Sequence, residues 1–309
     1  MMKRNARIVV VGSDTGIGRA LMRTLLAQKH VHVESCDRIQ DAQEVEDIFE
    51  EIRPEYVFVA AGKSGGIELN RTNPADLMMD NLRVAGNVLP AAHHVNVRKL
   101  LYLASSCAYP RDCPQPMQEK SLFAGPVEPT NEGYATAKRA GIKLCQAFNR
   151  QYGTRFIPAI PANPFGPGEA VDETHSHVIE ALIAKMHEAK IKAAPSVEVW
   201  GTGLPRREFI YLDDLADACI HVMNRYDSTD PINLGSGASM SIRELAYTIR
   251  RVTGYTGALR FDATRPDGMP EKILDNALMA GLGWTPPTHF ETALERTYTW
   301  YRERWAEAA

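Results

Sequence analysis

Four consecutive β-branched residues, Ile8-Val9-Val10-Val11, run directly into Gly12, with Gly16 and Gly18 close behind. The apolar run reads as a buried strand of a parallel sheet. Ala20-Leu21 and Leu25-Leu26 then open an amphipathic helix. Glycines between such a strand and helix let the backbone approach a pyrophosphate. The anion is drawn there by the free N–H groups and dipole of the helix N-terminus. Taken alone, this glycine spacing is equally that of a tight turn with no ligand, and its place between strand and helix gives it weight. The predicted dinucleotide contacts in this stretch are Gly12, Asp14, Thr15, Gly16, Ile17 and Gly18.

The rest of the chain alternates in the same manner. Strands are predicted at 31–34, 56–60, 100–103 and 156–160, with helices at 44–52, 76–94 and 131–152 between them. Beyond about residue 165 the texture changes. A proline- and glycine-rich loop leads to a helix beginning near Ser176, which is placed to cap it. Short strands follow at 198–203 and 206–212, then a helix at 213–223, a strand at 232–234 that returns to the sheet, and helices at 241–253 and 290–305. The expected class is α/β, a Rossmann-type doubly wound parallel sheet with a smaller, interleaved C-terminal substrate lobe. The expected division is a dinucleotide-binding domain over residues 1–165 and a lobe over 166–309 that binds mainly the substrate, with segments returning to the first domain.

The chemistry concentrates at Tyr134-Ala-Thr-Ala-Lys138 and Ser105-Ser106-Cys107, with His177 downstream. Tyr and Lys four apart share one helix face, and a neighbouring ammonium favours phenolate and so lowers the Tyr pKa. Ser105 and Cys107 leave the C-terminal end of a predicted strand, where ligands bind in open α/β sheets. This set suits proton transfer at a carbonyl undergoing hydride transfer. Cys107 and His177 add a second acid/base pair that simple carbonyl reduction does not require. Cys107 reads equally as a small buried filler, and His177 as a residue that merely starts a helix.

The net charge of −3 gives no electrostatic case for nucleic acid or an anionic membrane. No apolar run of about eighteen residues and no signal-peptide h-region is present, so a soluble, cytoplasmic protein is expected. The five cysteines, Cys36, Cys107, Cys113, Cys145 and Cys219, show no metal-ligand spacing, so reduced thiols and no metal are expected. Cys145 and Cys219 fall in apolar helical patterns and are read as core.

Several stretches carry a family resemblance across nearly the whole chain. They include Gly65-Gly66-Ile67, Ser105-Ser-Cys107 with Tyr109-Pro110, Glu128-Pro-Thr-Asn-Glu132 and Ser176-His-Val-Ile179. Further on come Val199-Trp-Gly-Thr-Gly203, Arg207-Glu-Phe, Asp213-Asp-Leu-Ala216 and Pro266-Asp-Gly268 with Lys272. The chain thereby resembles the extended short-chain dehydrogenase/reductases and, within them, the GDP-L-fucose synthase branch. Such enzymes epimerise GDP-4-keto-6-deoxy-mannose at C3 and C5 and then reduce C4 with NADPH.

The resemblance implies that Cys107 removes the C3 and C5 protons and His177 returns protons on the opposite face. It also implies that Tyr134 protonates the C4 oxygen, Ser105 hydrogen-bonds it, and Lys138 binds the cofactor ribose and tunes Tyr134. A thiol needs activation for such a role at neutral pH, from the positive nicotinamide ring or a basic neighbour. Ala60, Ala61, Lys138, Pro161, Asn163 and His177 are expected against the cofactor. Ser106, Asn163, Lys185, Trp200, Arg207 and Lys272 are expected against the GDP-sugar, with the three cations at its diphosphate. Trp200 reads either as core or as a neighbour of guanine. A homodimer through a four-helix bundle of the helices near 76–94 and 131–152 is implied by the same resemblance.

The chain also departs from that pattern. Asp14 stands where an Arg is frequent, Ala162 where Thr is usual, Pro164 where an aliphatic is usual, and Glu169-Ala170-Val171 where Asp-Asn-Phe is usual. Asp37 suits the ribose of NAD, whereas Arg38 suits the extra phosphate of NADP, so both cofactors stay open. Three readings follow. The first is a GDP-4-keto-6-deoxy-hexose epimerase-reductase. The second is a relative acting on another GDP-sugar such as a GDP-heptose. The third is a non-catalytic nucleotide-binding member.

Overall fold

The computed structural model describes residues 1–169, 177–265 and 267–308. The first half builds the parallel layer. Its elements are β1 (Arg7–Val11), α1 (Gly16–Ala27), β2 (His32–Cys36), α2 (Ala42–Ile52), β3 (Tyr56–Val59), α3 (Ile67–Thr72), α4 (Pro74–His94), β4 (Lys99–Leu103), α5 (Glu132–Tyr152) and β5 (Phe156–Pro161). The chain then runs through β6 (Asn163–Phe165), α6 (Val178–Ile191), β7 (Ser196–Trp200), β8 (Arg206–Tyr211), α7 (Leu212–Arg225) and β9 (Ile232–Leu234). It closes with β10 (Ser239–Ser241), α8 (Ile242–Thr253), β11 (Ala258–Asp262), β12 (Glu271–Lys272), α9 (Ala277–Gly281) and α10 (Phe290–Ala308).

The main sheet has the order β2-β1-β3-β4-β5-β9, parallel throughout. Its strand order reverses between β1 and β3, the switch point at which open α/β sheets hold their ligands. As the pattern predicts, β9 returns to this sheet beside β5, with Ile232 opposite Ala159. The strands are buried because helices cover both faces: Ile8 to Val11, Val57 to Val59 and Leu100 to Tyr102 are inaccessible to solvent.

The later strands build the second lobe. β8 pairs with β10, β12 and β6, whereas β7 pairs in parallel with β11. The two strands predicted at 198–203 and 206–212 therefore enter different sheets. A separate apolar cluster fills this lobe, with Phe165, Ile183, Met186, Phe209, Leu245, Ile249 and Leu294 at its centre. The core of the main sheet recruits late residues too, including Leu215, Cys219, Ile232 and Met279. Ser241 and Glu244 form a reciprocal capping box that starts α8. The expected cap at Ser176 lies outside the described residues, and within them α6 begins behind His177. Among the described residues no helix is long and apolar enough to cross a membrane.

Two close approaches set the site. Gly12 turns the chain after β1 with φ +81°, and a Cβ there would lie 2.6 Å from Ala61 Cα. In α5, a Cβ on Gly141 would lie 2.3 Å from the Tyr102 hydroxyl, so the bare backbone of that helix rests on the Tyr102 ring from β4.

Candidate active site

A cleft of about 670 Å³ opens over the C-terminal ends of the parallel strands. Asp14, Thr15, Gly16 and Ile17 form one wall, with Ala60 and Ala61 beyond β3. Thr15 caps α1, its Oγ1 accepting from Gly18 N at 3.0 Å and donating to Gly12 O at 2.8 Å. Gly18 lies beneath this loop, where a Cβ would strike Gly12 O at 2.0 Å. The first N–H groups of α1 have no acceptor within the helix, and no acidic residue occupies its first turn. Together with the tight turn at Gly12, this arrangement fits a dinucleotide phosphate.

Asp37 and Arg38 follow β2, and neither lines the cleft. Asp37 accepts from Ser13 N at 2.6 Å and Ser13 Oγ at 2.8 Å, so its carboxylate braces the glycine loop. Arg38 is largely exposed, and its guanidinium lies 3.7 Å from Glu44.

Ser105, Ser106, Cys107, Tyr134, Lys138, Pro161, Asn163 and His177 all line the same cleft. The end of β4 delivers the first three. Ser105 Oγ accepts from Cys107 N at 3.2 Å and caps the single 3-10 turn Ser106–Ala108. Lys138 sits one helical turn from Tyr134, and its ammonium donates to Leu103 O at 3.2 Å. The spacing predicts a lowered phenol pKa, but the structure reverses this. Burial pushes Tyr134 well up, the charge on Cys107 adds to it, and the Ser105 hydroxyl opposes it only in part. Burial likewise pulls the Lys138 ammonium down to about 8, against the attraction of Asp80. Tyr134 is therefore a fully protonated phenol near neutral pH, the form required of a proton donor.

Cys107 has the most unusual surroundings. Its Sγ accepts from Lys272 Nζ at 3.1 Å and from Asn131 Nδ2 at 3.1 Å. Burial alone pushes a thiol up. Here the Lys272 charge, the Ser105 and Lys272 hydrogen bonds and the charge of Arg207 together outweigh it and hold Cys107 below its ordinary value. The contrast lies within the same chain, since burial pushes Cys36 up to about 11, and Cys145 and Cys219 higher still. His177 precedes α6, and burial and then Lys272 lower its pKa, so its imidazole is neutral near pH 7.

A second pocket of about 340 Å³ meets the first at Cys107, Asn131, Asn163 and His177. Lys185, Trp200, Arg207 and Lys272 all line it. Trp200 is 45% exposed, so it is not core. Lys185 Nζ lies 5.0 Å from its ring centroid and the Arg265 guanidinium carbon 4.8 Å. Arg207 donates to Arg206 O at 2.8 Å. Lys272 joins Arg207 and Lys185 in this pocket, as the resemblance implies, but its ammonium rests on the cysteine sulfur. The basic neighbour of Cys107, its Asn131 partner, and the α10 residues Trp300, Tyr301 and Arg304 that line the first cleft were not legible in the sequence. No short-range spacing links any of them to the cleft.

The profile of the NAD dependent epimerase/dehydratase family matches residues 8–235. GDP-L-fucose synthase 1 of Arabidopsis thaliana is 44% identical over 97% of this chain and 94% of its own. A GDP-L-fucose synthetase from Naegleria fowleri, solved bound to NADP, superposes with a TM-score of 0.90 at 27% identity, covering 99% of this chain and 97% of that one. A GDP-6-OMe-4-keto-L-xylo-heptose reductase from C. jejuni gives 0.92 at 30% identity, covering 98% of this chain and 99% of that one.

Proposed function

Because the chain belongs to the NAD dependent epimerase/dehydratase family, we propose that it converts a GDP-4-keto-6-deoxy-hexose to GDP-L-fucose or a close analogue. The reaction is epimerisation at C3 and C5 followed by NADPH-dependent reduction at C4. The observation that carries this reading is the Cys107 sulfur, poised between Lys272 and Asn131 where the two cavities join. A ketone at C4 acidifies the protons on C3 and C5, so one acid/base apparatus serves both carbons. At each carbon the Cys107 thiolate takes the proton and protonated His177 gives one to the opposite face, and proton exchange with solvent restores thiolate and imidazolium before the second carbon reacts. A diphosphate entering beside Arg207 and Lys272 adds negative charge that offsets the effect of Lys272 on His177 and raises its proton affinity.

NADPH, when bound, supplies hydride to C4. Tyr134 gives its phenolic proton to the C4 oxygen, and Ser105 hydrogen-bonds that oxygen. Lys138 would hold the ribose, and its ammonium, 5.8 Å from the Tyr134 ring centroid, stabilises the phenolate as it forms. Positioned groups of this kind each contribute roughly 10²–10⁴-fold. Arg38 follows β2, where a cation can meet a 2′-phosphate once it leaves Glu44, and this supports NADP(H) over NAD(H). Residues 1–165 serve mainly the cofactor and 166–309 mainly the GDP-sugar. A homodimer through α4 and α5, as the resemblance implies, would cover Met79 and Tyr152, which are 47% and 51% exposed. Five free thiols suit the reducing cytoplasm.

A second reading is C4 reduction alone, on another GDP-sugar such as a heptose. Of the departures from the fucose-synthase pattern, Pro164 lines both cavities, whereas Ala162 and Glu169 line the first. Incubation with GDP-4-keto-6-deoxy-mannose and NADPH in D₂O separates the two. Deuterium at both C3 and C5 of a reduced product is expected, and reduction without deuterium uptake would overturn epimerisation.

A further inference from the structure

We propose that Glu169 couples cofactor binding to proton uptake. Its carboxyl, seated on Gly16 at the start of α1, admits the pyrophosphate when neutral and competes with it when ionised. This rests on the dinucleotide reading of the first cleft. A Cβ on Gly16 would lie 2.3 Å from Glu169 Oε1 and 3.0 Å from its carboxyl carbon, so the carboxyl fills the notch left by the missing side chain. Glu169 lines the cleft together with Asp14 to Ile17, and the loop before it leans on the same helix, with the Cβ position of Gly168 3.6 Å from Gly16 Cα. A phosphate drawn to the first turn of α1 would meet this carboxyl beside Gly16. A carboxylate there excludes a phosphate by charge and by position. A carboxylic acid has an O–H to donate to a phosphate oxygen.

Among the described residues, the charged and titratable neighbours come from several elements. Arg19 on α1 attracts the carboxylate, but its guanidinium already donates to Asp14 O. Asp14 precedes α1 in the same wall, and Glu180 on α6 is fully buried and itself pushed strongly towards the neutral form, in part by Glu169. His177, Lys138 on α5 and Arg304 on α10 line the cleft further along. Burial outweighs Arg19 and pushes the Glu169 carboxyl up to about 7. The neutral form is thus the main one below pH 7, and cofactor affinity falls as pH rises through that value. If only the neutral form binds, the dissociation constant rises about ten-fold from pH 6 to about pH 8.

The test is calorimetric titration of the wild type and Glu169→Gln with NADH and with NADPH across this range. It is run in buffers of different ionisation enthalpy so that protons are counted. NADH is essential because the 2′-phosphate of NADPH titrates near pH 6. For the wild type, NADH should bind about ten-fold more weakly at pH 8 than at pH 6, and binding near pH 7.5 should take up about 0.8 proton. In Glu169→Gln, whose amide keeps a donor and cannot ionise, affinity should stay within about two-fold across the range and uptake should vanish. Wild-type binding without proton uptake, or an unchanged pH profile in Glu169→Gln, overturns the inference while leaving the cofactor site intact. Failure of both nucleotides to bind at any pH would instead overturn the dinucleotide reading on which it rests.

Discussion

Replacing Lys272 with Met should disarm Cys107 without touching it. At 3.1 Å, and at an effective dielectric of about 20, the ammonium–thiolate attraction is about 5 kcal/mol. Arg207, Ser105 and Asn131 remain in the variant and recover part of it. Loss of even half, about 2.7 kcal/mol, corresponds to about two pH units in the titration of the thiol. The direction follows from sign: the cation favours the charged sulfur, so its removal leaves burial less opposed, and burial prevails at Cys145 and Cys219. The assay is the pH dependence of iodoacetamide labelling, read by mass spectrometry on the Cys107 peptide in the absence of substrate. The other four cysteines are buried and make little background. Omitting substrate separates the effect on sulfur from any role of Lys272 at the diphosphate. The labelling midpoint should rise by about two pH units in Lys272→Met and return most of the way in Lys272→Arg. An unmoved midpoint in Lys272→Met would refute the claim that this lysine activates the thiol.

Further outcomes follow from the same geometry. Tyr134→Phe should lose C4 reduction by about 10²–10⁴-fold while GDP affinity, measured by calorimetry, is unchanged. Arg207→Ala should weaken GDP by about 1.5–3 kcal/mol, and titrations with ADP and UDP should show weaker binding than GDP to the wild type. Arg38→Ala should weaken NADPH much more than NADH, and rising salt should reduce the difference in the wild type. A wild-type preference for NADH in side-by-side titrations would reverse the cofactor assignment. Gly141→Ala places a methyl group on the Tyr102 hydroxyl and should cost about 1–3 kcal/mol in urea unfolding, because α5 must lift from β4.

The parts legible in the sequence are those whose signal is local. The Ile8–Val11 run, the glycines behind it and the Tyr134/Lys138 spacing each encode their meaning within one or two turns of chain. Their elements appear within a residue or two of the expected bounds, as with α5 at Glu132–Tyr152. The three-residue strands β6 and β10 and the two-residue β12 carry no periodicity of their own and exist only through pairing with β8. The expected lowering of Tyr134 failed for a related reason: the pair was visible, but the depth of its burial was not. Lys272 and Cys107 are separated by 165 positions, and nothing in either neighbourhood announces the other. The carboxyl of Glu169 on Gly16 is equally non-local, although both residues stood out singly.

That separation has a consequence for the life of the chain before it is finished. Cys107 emerges early in synthesis with β4, while the residue that makes it reactive arrives only when β12 docks beside β8. Docking is locked by the fully buried Asn233, which accepts from Tyr109 Oη at 2.7 Å and donates to Met117 O and Asp275 O. One amide thus ties the loop behind Cys107 to the segment just past Lys272. In an incomplete or misassembled chain this thiol keeps its ordinary pKa and carries less thiolate at neutral pH. The lowered pKa of this sulfur is therefore a product of completed folding, and the pH dependence of iodoacetamide labelling at Cys107 reports whether Lys272 has docked.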